Sequence, residues 1–475
     1  MRIRLQSVFL AIIFVAGMAQ SARAETGNPG QLVAQELTDV QVEDIVRRSY
    51  QYVALYNVIN KGAMDPENPA STGWNHCIAD TGLKDHTLKL IARPNNDTLY
   101  ITCMLELRKD AVILDLPAFE SKYVSLMAVA YDHYVNVPMS TREGDFRKPE
   151  KVLFYSARTE GYQGSPVEGV DRIFEMTGDF VIAVFRVMPH SNEPAKFKRN
   201  IEDMQAVKLL TLSQFIDGKA KSAADAEFPP FGRTDADVFG NNLLQVMQFV
   251  FNHVSFDPND EIDQGVLAAY KPLGVEPGKA YDASEVAPID GQRFRKMAEK
   301  IQQETFAIAT GGRFSDYAPR ILRLKGETDL DALVLVSVVG PIGLPLEEAT
   351  YPAVTAADGK PMNALHDYVI RMNKDELPPA QAFWSLTLYD LQNGFFIPNE
   401  RKKYSVGENA GMKLDDEGGI EIYVAAEKPE GVPEENWLPI NRKDEKIDLI
   451  LRIYEPDLAK LKTWIAPKAE KLAGE

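Results

Sequence analysis

The chain has 475 residues, of which 45% are hydrophobic and 25% charged. This length and composition are typical of a globular protein with two or three domains, since one domain usually holds roughly 100 to 200 residues. The formal net charge is −17 at pH 7. Such an acidic surface repels phosphate backbones, so we expect no nucleic acid as a partner.

The first 24 residues have the pattern of a secretory signal peptide: Arg2 and Arg4, the apolar run VFLAIIFVAGMA, and small residues at Ala22 and Ala24. An uncleaved anchor is the alternative, but the run falls short of the roughly 20 residues that span a bilayer. Cleavage of the signal peptide removes three of the 52 basic residues, which leaves 49 against 69 acidic ones, a net charge of −20. We therefore predict a periplasmic or secreted protein, off the membrane after cleavage.

Hydrophobic periodicity divides the rest of the chain into three parts. Residues 40–195 begin with a helix at 40–60 and continue as short strands separated by Pro, Gly, Asn and Asp. Residues 196–330 return to the helical period, with predicted helices in FKRNIEDMQAVKLLTLSQFI, in VFGNNLLQVMQFVFNHV and over Gly291–Thr310. Residues 331–465 are again rich in strand patterns, which begin with ALVLVSVVG.

Runs of strands that are separated from a run of helices predict an α+β protein. We expect two antiparallel β domains with a helical segment between them. The predicted strands of the first domain are TLKLIAR, TLYITCMLEL, AVILDLP, YVSLMAVAYD, KVLFYSA and FVIAVFRVMP.

The chain contains two cysteines, Cys77 and Cys103. In an oxidising compartment they can form a disulfide, and the alternative is a pair of buried thiols. Two cysteines do not suffice for a thiolate zinc site, and we assign no metal ligand. The sequence names no cofactor and leaves open whether copies of the chain form a homo-oligomer.

Several segments resemble two families of domains of unknown function. PNNDTLY followed by YVSLMAVAYDHYVNV resembles family 1254, and LPPAQAFWSLTLYD, NWLPI and LRIYEP resemble family 1214. The resemblance implies that both β domains are jelly-roll-like, and it implies little about function. Asn95 and Asp97 match the motif of the first family, whereas Asn96 stands where that family most often has an apolar residue.

Two polar clusters in the first β domain are candidate sites. In RPNNDTLYITC, the side chains of Asn95, Asp97 and Tyr100 can line a pocket, or Asn and Asp can simply close the turn before a strand. In AYDHYVNV, the candidates are Asp132, Tyr134 and Asn136. We predict Asp97 or Asp132 as the acid–base group if the protein is an enzyme.

The second β domain offers aromatic and polar candidates for ligand binding: Trp384, Tyr389, Asn436, Trp437 and Arg452. Strand alternation places Phe383, Ser385, Thr387 and Tyr389 on one face of AFWSLTLYD. The structural alternative is that the tryptophans are core residues and that Arg452 pairs with a carboxylate such as Asp390.

The chain has no G-x-S-x-G, no H-E-x-x-H, no P-loop and no G-x-G-x-x-G motif. We therefore expect an exported protein that binds a small molecule, a carbohydrate or small carboxylate, in or between its β domains. The alternatives are a periplasmic hydrolase or lyase and a protein–protein interaction module.

Overall fold

The computed structural model of the chain describes residues 37–68, 71, 73–89, 92–221, 226–310 and 313–472. The predicted signal peptide lies outside these residues. Within them, no helix has both the length and the apolar character needed to cross a membrane.

Helices and strands are segregated along the chain, which confirms the α+β class. The helices are α1 (Asp39–Met64), α2 (Pro194–Ala206), α3 (Leu212–Asp217), α4 (Asp235–Asn241), α5 (Leu243–His253), α6 (Glu261–Tyr270), α7 (Gly291–Thr310), α8 (Leu330–Val339) and α9 (Leu458–Leu461). The first nine strands are β1 (His76–Asp80), β2 (Leu99–Glu106), β3 (Val112–Leu116), β4 (Val124–Ala130), β5 (Val135–Ser140), β6 (Glu150–Ser156), β7 (Arg172–Met176), β8 (Phe180–Val187) and β9 (Lys208–Thr211). The other strands are β10 (Ala349–Thr350), β11 (Ala353–Val354), β12 (Tyr368–Met372), β13 (Ala380–Asp390), β14 (Ser405–Gly407), β15 (Ile420–Ala425), β16 (Trp437–Pro439), β17 (Ile447–Pro456) and β18 (Ala469–Lys471).

Each β domain consists of two sheets that enclose an apolar core. The N-terminal sheets have the orders β1-β2-β8-β4-β5 and β7-β6-β3-β9, and the C-terminal sheets have the orders β10-β17-β13-β14 and β16-β15-β12-β18. Every second residue of β2, from Leu99 to Leu105, enters the N-terminal core, as the alternation of a strand requires. The sheets β1-β2-β8-β4-β5 and β10-β17-β13-β14 are antiparallel throughout, as expected. The other two sheets each contain one parallel pair, β6/β7 and β15/β16.

A helical layer packs on the outer face of the N-terminal sheet β1-β2-β8-β4-β5. Helix α1 shares one core with α4, α5, α7 and α8, where Tyr50 lies 5.3 Å from Phe239 between ring centres. Its start is set by a capping box in which Thr38 and Gln41 satisfy each other's backbone N–H groups. Helix α1 therefore belongs structurally with the later helices, although it precedes the N-terminal sheets in sequence.

Two segments differ from their predicted secondary structure. ALVLVSVVG forms α8 instead of a strand, with Asp329 capping its first turn by accepting the Ala332 N–H. A short apolar run has the same hydrophobic pattern in a buried strand as in a buried helix, which explains the error. The helix predicted from Phe197 to Ile216 is interrupted by β9, since residues 208–211 pair with β3 at the edge of its sheet.

Two further predictions are corrected in part. The helix predicted in VFGNNLLQVMQFVFNHV is divided at Asn242 into α4 and α5. The residues of TLKLIAR that the structure describes are not in a strand. Helix α7 spans Gly291–Thr310 as predicted.

Cys77 and Cys103 form a disulfide, which confirms one of the two alternatives. They lie directly opposite each other on β1 and β2. The bond therefore fastens the edge strand β1 to β2.

We predict that removing this disulfide destabilises the N-terminal domain. The bond closes a loop with a sequence separation of 26, and the chain-entropy model assigns a loop of this size about 3 kcal/mol. The double variant Cys77→Ala/Cys103→Ala should lose about this free energy of unfolding in urea titration. Dithiothreitol should destabilise the parent protein to a similar extent and leave the double variant unchanged. An equal response of both proteins to the reductant would contradict the prediction.

Candidate functional site

Residues 93–98 form a turn that leads into β2. Asn95 closes it, because its Oδ1 accepts the backbone N–H of Asp97 at 2.7 Å. Asn96 also accepts a backbone hydrogen bond, because its Oδ1 lies 2.8 Å from the N–H nitrogen of Lys84. The predicted turn is therefore confirmed, and the Asp97 carboxylate is left available for another contact.

That carboxylate reaches the C-terminal domain. Asp97 is 1% exposed, its Oδ2 accepts the Ser385 hydroxyl at 2.5 Å, and the same oxygen lies 4.0 Å from Nη1 of Arg452. Burial raises the pKa of Asp97, and Arg452 and Ser385 offset part of that effect. A buried acid with a raised pKa beside an arginine suits an acid–base group, and the same contacts also join the two domains.

Arg452 lies at the centre of the polar face formed by β13 and β17. Its side chain is opposite Ser385 in the pairing of the two strands, and it is 4% exposed. It donates hydrogen bonds to Thr387 Oγ1 at 2.9 Å, to the Tyr389 hydroxyl at 2.6 Å and to the Arg93 carbonyl at 3.1 Å. The predicted face with Ser385, Thr387 and Tyr389 is therefore confirmed, and it points towards the N-terminal domain.

The expected pair between Arg452 and Asp390 is wrong. Asp390 accepts the backbone N–H groups of Asn393 and Phe395 at 2.6 and 3.0 Å, which closes the turn after β13. Asp390 is an odd number of positions from Ser385 along the strand, so it projects from the opposite face.

Tyr100 and Arg186 are direct neighbours on β2 and β8. Arg186 is 5% exposed, and its guanidinium carbon lies 5.5 Å from the centre of the Tyr100 ring. It donates to the carbonyls of Ile342 and Gly343 at 2.9 and 3.2 Å. Among the described residues, no carboxylate forms an ion pair with Arg186, and the strongest charge neighbours of its guanidinium are tyrosines.

Arg186, Tyr100 and Arg452 line one cavity of about 640 Å³ where the two β domains and the helical layer meet, whereas Asp97 and Tyr389 do not line it. Its polar part comprises Arg93, Asn95, Tyr100, Arg186, Thr350, Tyr351 and Arg452. Its apolar part comes from α7, α8 and the chain between them, and also from the segment that follows α8 and from Ile450 on β17. The described lining contains three arginines and no Asp or Glu, and one of the three, Arg93, already pairs with Asp448 at 2.9 Å.

Two residues of the cavity wall have a strained backbone. Arg93 has φ of 51° and Leu322 has φ of 55°, in the left-handed region that bulky side chains rarely adopt. The Arg93 N–H donates to the Gly394 carbonyl at 2.6 Å. Strain of this kind persists only where surrounding contacts impose it, and it often marks ligand sites.

The other predicted carboxylate, Asp132, belongs to a separate buried cluster. It accepts the Thr177 hydroxyl at 2.8 Å, and its second oxygen lies 3.7 Å from Nζ of Lys325. Lys325 also donates to Asp263 at 2.7 Å, and its ammonium lies 4.9 Å from the ring centre of Tyr134. Asp132 and Tyr134 are thus brought together by a lysine, and neither lines the cavity described above.

His133 lies between Asp132 and Tyr134 in the sequence, but its side chain contacts the end of α8. Its φ is 65°, and its Nδ1 and Nε2 lie 2.8 Å from Ser337 Oγ and from the Pro341 carbonyl. Burial lowers the pKa of His133 to about 4, so the ring is neutral at pH 7. It holds the end of α8 in place.

The remaining ligand-binding candidates of the C-terminal domain lie away from the cavity. Trp437 donates its indole N–H to the Ala425 carbonyl at 2.8 Å, and the Asn436 side chain bonds both backbone groups of Lys413. Trp384 contributes to the apolar core and to a separate surface groove. The Asn136 side chain lies outside the described part of the chain. In the described ranges, no cluster of three His, Cys, Asp or Glu side chains has a metal-binding arrangement.

Four residues of the two sites were not predicted from the sequence: Arg186, Tyr351, Asp263 and Lys325. Arg186 carries a usable signal, because it is the one charged residue within the apolar strand FVIAVFRV. A charge inside a strand that is buried along its length needs a partner from elsewhere in the fold. Tyr351, Asp263 and Lys325 lie in segments without a distinctive pattern.

The fold and the cavity define a class: an α+β protein with two β domains, a helical layer and a cavity with buried arginines at their junction. The family model described as "Protein of unknown function (DUF1254)" matches residues 75–210, and that described as "Protein of unknown function (DUF1214)" matches residues 347–458. The chain thus carries these two domains in this order, as the sequence resemblance predicted.

A solved structure shares this fold. The VPA0106 protein from Vibrio parahaemolyticus has a TM-score of 0.71 and 22% sequence identity, over 92% of this chain and 100% of that one. An uncharacterized protein from Burkholderia cenocepacia has a TM-score of 0.42 and 12% identity, over 91% of this chain and 93% of that one, which is too low to support an argument. No curated protein matches the chain. The first likeness shows the fold and nothing about activity.

We predict that the Lys325 ammonium stabilises the buried cluster that it forms with Asp132 and Asp263. Lys325→Met leaves Asp132 and Asp263 buried without a cation, which should lower the free energy of unfolding by about 3 to 5 kcal/mol at pH 8. Burial raises the pKa of Asp263 from 3.8 to about 6, so the folded state holds this proton more tightly than the unfolded state. Lys325 lowers this pKa in the parent protein, so its removal raises the pKa further. Lowering the pH from 8 to 5 therefore stabilises the variant more than the parent, and the loss should shrink.

Urea unfolding of the parent and the variant at both pH values measures this difference. The matched control is Lys300→Met, because Lys300 pairs with Glu43 at the surface, where an ion pair contributes at most about 1 kcal/mol. A loss of the same size at pH 5 and pH 8 would refute the role assigned to Asp263.

Proposed function

We propose that the chain binds a small carboxylate in the cavity between its β domains. The observation that carries this proposal is Arg186, a buried arginine in the cavity wall for which the described residues supply no carboxylate partner. Buried charges are ordinarily paired, because removing an ion from water costs several kcal/mol. A ligand carboxylate would supply the missing partner.

Arg452 strengthens the electrostatic argument. Its hydrogen bonds go to hydroxyl and carbonyl oxygens, and its nearest carboxylate, Asp97, has a pKa raised by burial. The cavity thus contains two buried guanidinium groups and at most one compensating charge. Bidentate hydrogen bonds to a carboxylate are the interaction for which a guanidinium is best suited.

The same argument separates the two ligand classes expected from the sequence. A neutral carbohydrate offers hydroxyl groups to Asn95 and Tyr100, but it leaves the charge of Arg186 uncompensated. A carboxylate satisfies Arg186 and leaves Asn95 and Tyr100 free to fix its orientation. The charge of the cavity therefore favours the carboxylate.

We predict that binding depends on the negative charge of the ligand. Phenylacetate and butanoate should raise the melting temperature of the mature protein, whereas phenylacetamide, butanamide and neutral disaccharides should not. Arg186→Gln should weaken carboxylate binding by about tenfold to a hundredfold, the range for a lost hydrogen bond to a charged group. Calorimetric titration measures both effects.

The control variant is Arg371→Gln, which removes an arginine that pairs with Glu421 at the surface of the C-terminal domain. It should bind carboxylates like the parent protein. Equal binding of the acids and their amides, or undiminished binding by a folded Arg186→Gln, would contradict the proposal.

An acid–base enzyme, a hydrolase or lyase, is the second candidate, and burial of Asp97 beside Ser385 and Arg452 favours it. If Asp97 transfers a proton, acids that bind the protein should be converted to products over time, as seen by NMR. Asp97→Asn should abolish this conversion while the acid still binds. Binding without turnover by the parent protein would rule out the enzyme and leave carboxylate binding as the one remaining candidate.

A further inference from the structure

Building on the proposed function, we propose that the ligand is an amphipathic acid that enters the cavity with its carboxylate first. The carboxylate lies between Arg186 and Arg452, and an aliphatic or aromatic body extends along the helices towards the surface. This assigns the class of the ligand and its direction in the cavity.

The exposure of the lining residues sets the direction. Arg186 and Arg452 are 5% and 4% exposed, whereas Phe306 and Tyr351 are 45% and 42% exposed. The cationic groups are thus at the deep end and Phe306 is at the opening, while Tyr351 extends along one side of the cavity, with its ring partly exposed and its hydroxyl near Arg186. A ligand with its charge at the surface would leave Arg186 unpaired.

Between the two ends, the wall is apolar. Ile321, Leu322 and Val336 are buried near the deep end, and Ala309, Phe314 and Val339 are partly buried towards the opening. These side chains come from α7, α8 and the chain that joins them, and they carry no hydrogen-bonding group. A polar ligand body would lose its hydrogen bonds to water along this wall, whereas an apolar body is stabilised there.

The volume fits a ligand larger than a two- or three-carbon acid. A cavity of about 640 Å³ lies within the range of roughly 300 to 1,000 Å³ that is typical of sites for drug-sized molecules. A short acid would pair with Arg186 and leave most of the apolar wall in contact with water.

A series of unbranched acids from butanoate to dodecanoate tests the class of ligand. Affinity should rise about fourfold with each methylene group, from the 0.8 kcal/mol that its burial contributes. It should then reach a plateau when the tail passes Phe306, because further methylenes remain in water. An affinity that does not change with length would overturn the inference, although short acids that still bind would leave the proposed function intact.

Labelled ligands test the direction. A decanoate that carries a bulky fluorophore at its terminal carbon should bind within about threefold of decanoate, and the methyl ester of decanoate should not bind measurably. Binding of the ester but not of the labelled acid would show the opposite orientation.

A matched pair of variants on α7 locates the tail. Ala309 lines the outer apolar wall, whereas Ala307, on the same helix, is exposed and does not line the cavity. Ala309→Trp should lower the affinity for decanoate at least tenfold and leave butanoate unaffected. Ala307→Trp should change neither. Equal effects of Ala309→Trp on both acids would refute the placement of the tail, and failure of every acid to bind the parent protein would refute the proposed function itself.

Discussion

The structure depends on the docking of residues 93–97 against the polar face of β13 and β17. Arg452 donates to the Arg93 carbonyl, the Tyr389 hydroxyl donates to the Pro94 carbonyl at 2.7 Å, and Asp97 accepts the Ser385 hydroxyl. A buried polar group without a partner costs about 1 to 3 kcal/mol. Each domain therefore supplies the partners that the other one needs. Together with the hydrogen bonds that Glu348 accepts from Tyr123 and Ser140, these contacts set the relative position of the two β domains.

The cavity is a consequence of this arrangement. The docked segment holds Asn95 and Tyr100 beside β17, while β8 places Arg186 against the loop that follows α8. The helical layer covers the remaining side with apolar side chains. An acidic protein thereby encloses a basic cavity, and because salt screens charges beyond about 10 Å at 0.1 M, the local guanidinium groups outweigh the distant surface charge there.

Local pattern was sufficient to predict much of the fold. The strands β2, β4, β8, β13 and β17 follow from alternation and apolar runs, and α7 follows from its helical period. α8 was wrongly predicted because eight of its ten residues are apolar, and such a run carries no period that separates a buried helix from a buried strand. Of the cavity residues, Asn95, Tyr100 and Arg452 were predicted, since turn chemistry and a polar strand face are visible in the sequence. Arg186 and Tyr351 were not, because their importance depends on what faces them.

The sequence by itself determined the classes of secondary structure, the turn at Asn95, the polar face of β13 and the kinship with two domain families, because each depends on residues close together in the chain. The tertiary structure alone decided that Cys77 bonds Cys103, that Lys325 joins Asp132 to Asp263, and that Arg186 and Arg452 line one cavity. Those contacts bring together residues far apart in the chain, and such proximity is set by how whole sheets and helices pack.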